Sequence, residues 1–134
     1  MSELFVLYGE TDGSSTTGTV KLSSDILYDS VTAVRIPKGA KAKVWFKKVA
    51  GEAETTFYLQ YTHDVTASSP VWTTLEAEKL AAKGEISVEK RRPVVLRGFT
   101  GKEAFQITWL QPAAAKAYVE IGVELVFENE QRGD

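Results

Sequence analysis

The chain has no cysteine and a single histidine in 134 residues. Without thiols there can be no disulfide, no thiolate nucleophile and no zinc site built on cysteine. Small secreted β-domains often depend on disulfides, so their absence points to folding in a reducing cytoplasm. Charge of one sign is also missing: 16 Lys and Arg stand against 18 Asp and Glu, a net charge of −2. A dedicated nucleic-acid binder is usually strongly basic, so nucleic acid is not the expected partner. No apolar run approaches the roughly 18 residues of a membrane span. The opening MSELFVLYGE has no basic n-region, and its apolar run is too short for a signal peptide. Together these absences predict a soluble protein made in the cytoplasm, not secreted by a signal peptide and with no membrane partner.

What the sequence has is alternation. In residues 113–128, AAAKAYVEIGVELVFE, every odd position to 127 is apolar, and most even positions are charged or polar. A period of two is the mark of a strand with one face in a core and the other in water. The same period recurs in KAKVWFKKV at 41–49, where Ala42, Val44 and Phe46 share one face and Lys41, Lys43, Trp45 and Lys47 the other. It recurs in TTFYLQYT at 55–62, with Phe57, Leu59 and Tyr61 opposite Thr56, Tyr58, Gln60 and Thr62. These two runs flank a turn around Gly51 and are expected to pair as an antiparallel hairpin. Phe105, Ile107 and Trp109 form a further stripe, which places Trp109 in the core.

Shorter strands are expected at 4–8, 19–22, 25–28, 31–36, 71–75, 86–89 and 94–99. Pro37, Lys38 and Gly39 make a turn, and residues 9–18, GETDGSSTTG, read as a flexible surface loop. TLEAEKLAAK at 74–83 has helix-favouring composition and is expected to form one or two helical turns closed by Gly84. The tail 129–134 is polar and expected to fray. Eight to ten strands at short spacing, with at most one short helix, predict one all-β domain over 1–134: an antiparallel β-sandwich of jelly-roll type.

Chemistry-bearing residues are sparse. His63 and Asp64 with Ser68 and Ser69 contain the residue types of a hydrolytic triad, yet they crowd one turn-rich loop without a Gly-rich elbow, so a turn is the expected reading. Glu76 and Glu78 read as a solvated face rather than a catalytic carboxylate pair. Glu10 and Asp12 lie in a stretch that lacks the ordered acidic positions of a calcium loop. No catalytic residue, metal ligand or cofactor is therefore expected. The Arg-Gly-Asp tripeptide at 132–134 reads as coincidence.

The stripe Lys43, Trp45, Lys47 is the strongest surface signal, with Tyr58 expected on the same face if the 55–62 strand pairs beside it. Three readings are open: lysine stems covering an indole, a protein contact, or a polyanion or sugar site. Arg91 and Arg92, within Lys90-Arg91-Arg92-Pro93, form a basic turn that could face an acidic protein. The protein-contact candidates are thus Trp45, Tyr58, Lys43, Lys47, Arg91 and Arg92.

The cysteine-free all-β character, the Thr/Ser-rich loop near the start, and the passage FYLQYTHD…VWTTL over 57–75 together resemble small β-sandwich accessory proteins of tailed-phage virions, above all capsid decoration proteins. That resemblance implies a non-enzymatic cementing protein that binds and stabilises an assembled shell. It implies a homo-oligomer, with a trimer favoured, a capsid or other virion protein as partner, and location on the virion. A phage tail or baseplate β-domain resembles the chain in the same way. A carbohydrate-binding module, using Trp45, Trp72, Trp109, Tyr58 or Tyr61, is the alternative of a different class.

Overall fold

A computed structural model describes residues 2–24, 30–88 and 93–127. Among these there are ten strands and no helix: β1 Ser2–Glu10, β2 Thr17–Thr19, β3 Val34–Arg35, β4 Ala40–Gly51, β5 Thr55–Thr62, β6 Thr73–Leu80, β7 Gly84–Ser87, β8 Val94–Arg97, β9 Ala104–Leu110 and β10 Ala117–Phe127. They form two five-stranded sheets. Sheet A runs β1-β10-β4-β7 with β8 also on β4, and sheet B runs β2-β9-β5-β6 with β3 also on β9. All pairings are antiparallel. Because β2 and β3 both pair β9, and β7 and β8 both pair β4, each sheet has four strand positions, the jelly-roll arrangement expected from the alternation.

The core is the sum of the period-two stripes. Sheet A turns Leu7, Val44, Phe46, Val49, Val119, Ile121 and Val123 inward, and sheet B turns in Phe57, Leu59, Phe105, Ile107 and Trp109. Facing stripes of two pleated sheets interdigitate, which is how a sandwich dries its interior. Val20, Leu22 and Ile36, from the segments between β1 and β4, fill the space between the sheets. The 113–128 alternation is one strand from Ala117 onward. The preceding residues are held in a loop instead, because Gln111 Nε2 and Thr11 Oγ1 both donate to Ala115 O, at 3.0 and 2.7 Å.

Four expectations are corrected. The 41–49 and 55–62 runs are strands, but they do not pair: β4 lies in sheet A and β5 in sheet B. The chain crosses from one layer to the other between them, so both can bury an apolar stripe against the other. The 74–83 segment is not helical. Its residues form β6 at the edge of sheet B, because pairing to β5 and burial of Leu80 beside Thr55 override helix propensity. Glu78 and Glu76 stand opposite Phe57 and Leu59 and so lean toward the inner side. Inward charge on an edge strand deters further strand addition.

The third correction concerns residues 9–18. Gly9 and Glu10 belong to β1, which pairs with β10 along its whole length. The rest of the loop is pinned: Trp109 Nε1 donates to Ser15 O at 3.1 Å, Gln111 N to Thr16 O at 2.8 Å, and Thr11 is fully buried. Fourth, the 31–36 strand shrinks to Val34–Arg35 and a bridge from Val31 to Leu22. The expected strand at 25–28, the basic turn with Arg91 and Arg92, and the tail with its Arg-Gly-Asp lie outside the described residues.

Candidate functional site: two outer faces of unlike chemistry

Directly paired residues in an antiparallel sheet share a face, so the register fixes what each outer surface presents. On sheet A the central row is Val6, Gly122 and Trp45. Gly122 is the one position of β10's outer row without a side chain, and the indole of Trp45 lies in that gap. A Cβ built on Gly122 would sit 2.2–2.5 Å from Trp45 Cε2, Cζ2 and Nε1. Trp45 is therefore half-buried within its own sheet surface, with Lys43 beside it and Glu124 3.9 Å from Lys43 Nζ.

Around this row stand large exposed apolar side chains: Leu4 at 72% exposure, Tyr8, Val95 and Tyr118. Leu4 pairs opposite Glu124, Tyr8 opposite Glu120 and Val95 opposite Lys43, which puts them all on the Trp45 face. The charges among them are partly matched within the chain. Lys48 bonds Glu85, and Lys116 Nζ meets Glu10 Oε1 at 3.0 Å. The hydrogen bond to Glu10 raises the Lys116 pKa and keeps the ammonium charged.

Strict alternation predicts Lys47 in the same row as Trp45. A β-bulge opposite Glu120 and Ile121 changes this: Lys48 takes the outer-row place across from Glu120, and Lys47 is the extra, exposed residue of β4. Tyr58 is on the opposite side of the molecule, on the outer face of sheet B, because β4 and β5 belong to different sheets. The structure thus brings Trp45, Lys43 and the bulged Lys47 to one face and separates Tyr58 from them. Leu4, Tyr8, Val95 and Tyr118 went unnoticed as surface candidates. Beyond the Lys43-Trp45 stripe, the even slots of β10, with a glycine at 122, carry a sequence signal for this face.

The outer face of sheet B is polar and uncharged over its middle rows, with the exposed Leu110 and the Lys79–Glu54 pair at one end. Gln106 Nε2 donates to Gln60 Oε1 at 2.9 Å, and Gln60 Nε2 donates to Thr74 Oγ1 at 3.0 Å, a side-chain ladder across three strands. The next row is Thr19, Thr108, Tyr58 and Ala77. A shallow cleft of about 430 Å³ lies against these rows, lined by Tyr58, Gln60, Thr74 and Thr108 with Leu110 at one end, and Gln106 stands just outside it.

The triad-like residues of the 63–70 loop do not assemble. Asp64 Oδ1 accepts from Thr66 N and Thr66 Oγ1, bonds that lower its pKa and close a turn. His63 instead meets the Tyr61 ring edge-on, with centroids 5.0 Å apart. Asp12 Oδ1 likewise accepts from Ser14 N and Ser15 N, both at 2.8 Å, which lowers its pKa and uses it as a turn cap. Among the described residues no group of three His, Asp or Glu side chains is placed to hold a metal ion.

One buried carboxylate escaped the sequence reading. Glu103, 2% exposed, accepts from Phe99 N, Thr100 N and Gly101 N at 3.1–3.2 Å. Burial opposes its charge, but backbone hydrogen bonds, including its own and those from Thr100 and Phe99, outweigh this and hold its pKa below the usual carboxylate value. Its charge, after burial itself, helps push the Tyr61 phenol up. Glu103 organises the 99–103 loop, whose Gly101 carbonyl accepts from Arg35 Nε at 3.1 Å.

No protein-family profile matches the chain. No curated protein matches it either. Among solved structures it is similar to a Bacillus endospore appendage protein of a disulfide-linked pilus family, at 17% identity and a TM-score of 0.46, over 93% of this chain and 86% of the other. It is similar to a chain of infectious bursal disease virus, Gx strain, at 5% identity and a TM-score of 0.48, over 95% of this chain and 33% of the viral one. It is also similar to a Clostridium thermocellum xylanase 10B chain with CBM22-1 and GH10 modules, at 10% identity and a TM-score of 0.42, over 91% of this chain and 25% of that one. The likenesses are to proteins of unlike function and carry no argument about what this chain does.

Proposed function

We propose that this chain is a non-catalytic assembly protein of the capsid decoration type, docking through the outer face of sheet A onto an assembled virion shell. The observation that carries the reading is the set of exposed apolar side chains on that face. Leu4, Tyr8, Val95 and Tyr118 are exposed around a Trp45 locked over Gly122, and nothing in the described chain covers them. Exposed aliphatic and aromatic side chains set among charges are a common make-up of a protein contact, and pinned aromatics make good anchors because little side-chain entropy is left to lose. Lys43, between Glu124 and Val95, and the bulged Lys47 would steer and orient the partner. A protein that binds the assembled shell but not its free subunits stabilises the shell by mass action. In this reading the chain is made in the host cytoplasm, assembles as a homo-oligomer with a trimer favoured, and ends on the virion. It contacts a capsid or other virion protein and uses no cofactor. A tail or baseplate position would use the same face.

The test is solution mass by light scattering over a concentration series, together with co-sedimentation on phage heads stripped of decoration protein. A closed oligomer is expected, and Lys43→Glu with Lys47→Glu should weaken co-sedimentation by about tenfold. A monomer at every concentration, with co-sedimentation absent or unchanged by the charge reversals, overturns the reading. Oligomer and sedimentation with tails instead of heads would move the chain to the tail or baseplate.

A further inference from the structure

We propose that the outer face of sheet B is a binding site for neutral glycans, with Tyr58 as its stacking platform and the Gln60–Gln106 amide ladder as its hydroxyl reader. The argument starts from what lines the cleft. Thr17, Thr19, Gln60, Thr74 and Thr108 supply hydroxyls and amides beside Tyr58, and none of the lining residues is charged. Uncharged walls cannot repay the desolvation of a phosphate, sulfate or carboxylate, so an anionic ligand is disfavoured. They match a ligand with many neutral donors and acceptors on an apolar ring frame, which is the chemistry of a neutral sugar.

Geometry supports the same ligand. In its row Tyr58 stands between Thr108 and Ala77, both shorter than itself, and its half-buried ring lines the cleft. A sugar's C–H face can lie on such a ring and bury apolar surface without stranding a polar group. One row away the glutamines are already oriented. Gln106 donates to Gln60 and Gln60 to Thr74, which fixes the direction of both amides before any ligand arrives. Each amide keeps a second N–H, and a carbonyl oxygen can accept twice, so the ladder can pair with adjacent hydroxyls while staying intact. Pre-set donors lower the entropy cost of binding. The cleft is shallow and open to solvent, and its volume of about 430 Å³ leaves room for one or two rings of a longer chain.

This face is on the far side of the sandwich from Trp45. The inference therefore stands apart from the assembly reading, and a copy seated through sheet A would hold the glycan face outward.

The experiment is a titration of the ¹⁵N-labelled protein with neutral oligosaccharides (cello-, manno- and galacto-oligomers), with heparin and polygalacturonate as anionic comparisons. A neutral oligomer is expected to shift the side-chain amide resonances of Gln60 and Gln106 and the backbone amides of β5. Tyr58→Ala should weaken that binding about tenfold or more, Tyr58→Phe should keep it, and Trp45→Ala should leave it unchanged. Should Tyr58→Ala fold poorly, the Gln106→Ala variant and the wild-type shift map carry the test. No neutral oligomer bound at millimolar concentration overturns the proposal. So does binding whose shifts miss Gln60 and Gln106, or preference for the anionic polymers.

Discussion

Gly122→Ala should destabilise this protein, although alanine is the better strand residue. In an ordinary strand, replacing glycine removes unfolded-state freedom and stabilises by about 0.4–1 kcal/mol where the backbone allows it. At Gly122 a new Cβ would meet Trp45 Cε2 at 2.2 Å, Cζ2 at 2.4 Å and Nε1 at 2.5 Å. Carbon contacts settle near 3.5–4.0 Å, so the indole must lift by more than about 1 Å. Lifting forfeits much of the ring's dispersion contact and forces the side chain off its rotamer, at about 0.5–1.5 kcal/mol for the rotamer alone. Overpacking of this kind costs about 1–3 kcal/mol, so the net expectation is a loss of about 1 kcal/mol, or a Tm lower by about 4 °C for a chain this size. The assay is urea unfolding followed by circular dichroism for wild type, Gly122→Ala, Trp45→Ala and the double variant. With the indole gone, Gly122→Ala should become neutral or stabilising, giving a coupling of about 1–2 kcal/mol. Equal effects of Gly122→Ala in both backgrounds would refute the claim that Trp45 is seated in the glycine gap.

Three further outcomes are expected. Phe46→Ala, at a fully buried position, should cost about 3–5 kcal/mol in the same unfolding assay, because the cavity between two sheets cannot collapse. The folded pKa of Glu103 lies below its unfolded value, so its stabilising contribution is full above the ordinary glutamate value of 4.5 and fades as pH falls through the folded pKa. Glu103→Gln should accordingly flatten the acid limb of a stability-against-pH curve and cost about 1–3 kcal/mol at pH 7, read by urea titration at each pH. Thr11→Val removes the hydroxyl that donates to Ala115 O at 2.7 Å and accepts from Ala117 N at 3.0 Å. It should cost about 1–3 kcal/mol and speed amide exchange at Ala117, which hydrogen-exchange NMR would detect.

Much of the inner surface was legible from residues alone. The stripes Ala42, Val44, Phe46 and Phe105, Ile107, Trp109 and the odd positions 117–123 are buried as their spacing predicts. Period two follows from pleat geometry, which no tertiary context can change once a segment is a strand. The same rule placed Trp45 and Lys43 on the opposite face. Where it failed, the cause was long-range. Residues 74–80 carry helix-forming side chains, yet the free edge of β5 recruited them, since a strand gains a full ladder of backbone bonds and a short isolated helix is marginal.

Layer assignment was beyond the residues' reach. Alternation says that β4 and β5 each bury one face but not whether they lie side by side or across a core, and the two choices put Tyr58 next to Trp45 or on the far side of the molecule. A hairpin and a layer crossing can share the same short turn, so local signals cannot separate them. The glycine gap under Trp45, the bulge that sets Lys47 apart, and the amide ladder of Gln106 and Gln60 all join residues distant in the chain, whereas the cap on Glu103 is made within its own loop. Residue types and their spacing made two wet-faced, dry-hearted sheets. The crossing of the chain between layers decided that one outer face would carry aromatic and aliphatic side chains among charges and the other a ladder of hydroxyls and amides, because only the strand register chooses which exposed side chains become neighbours.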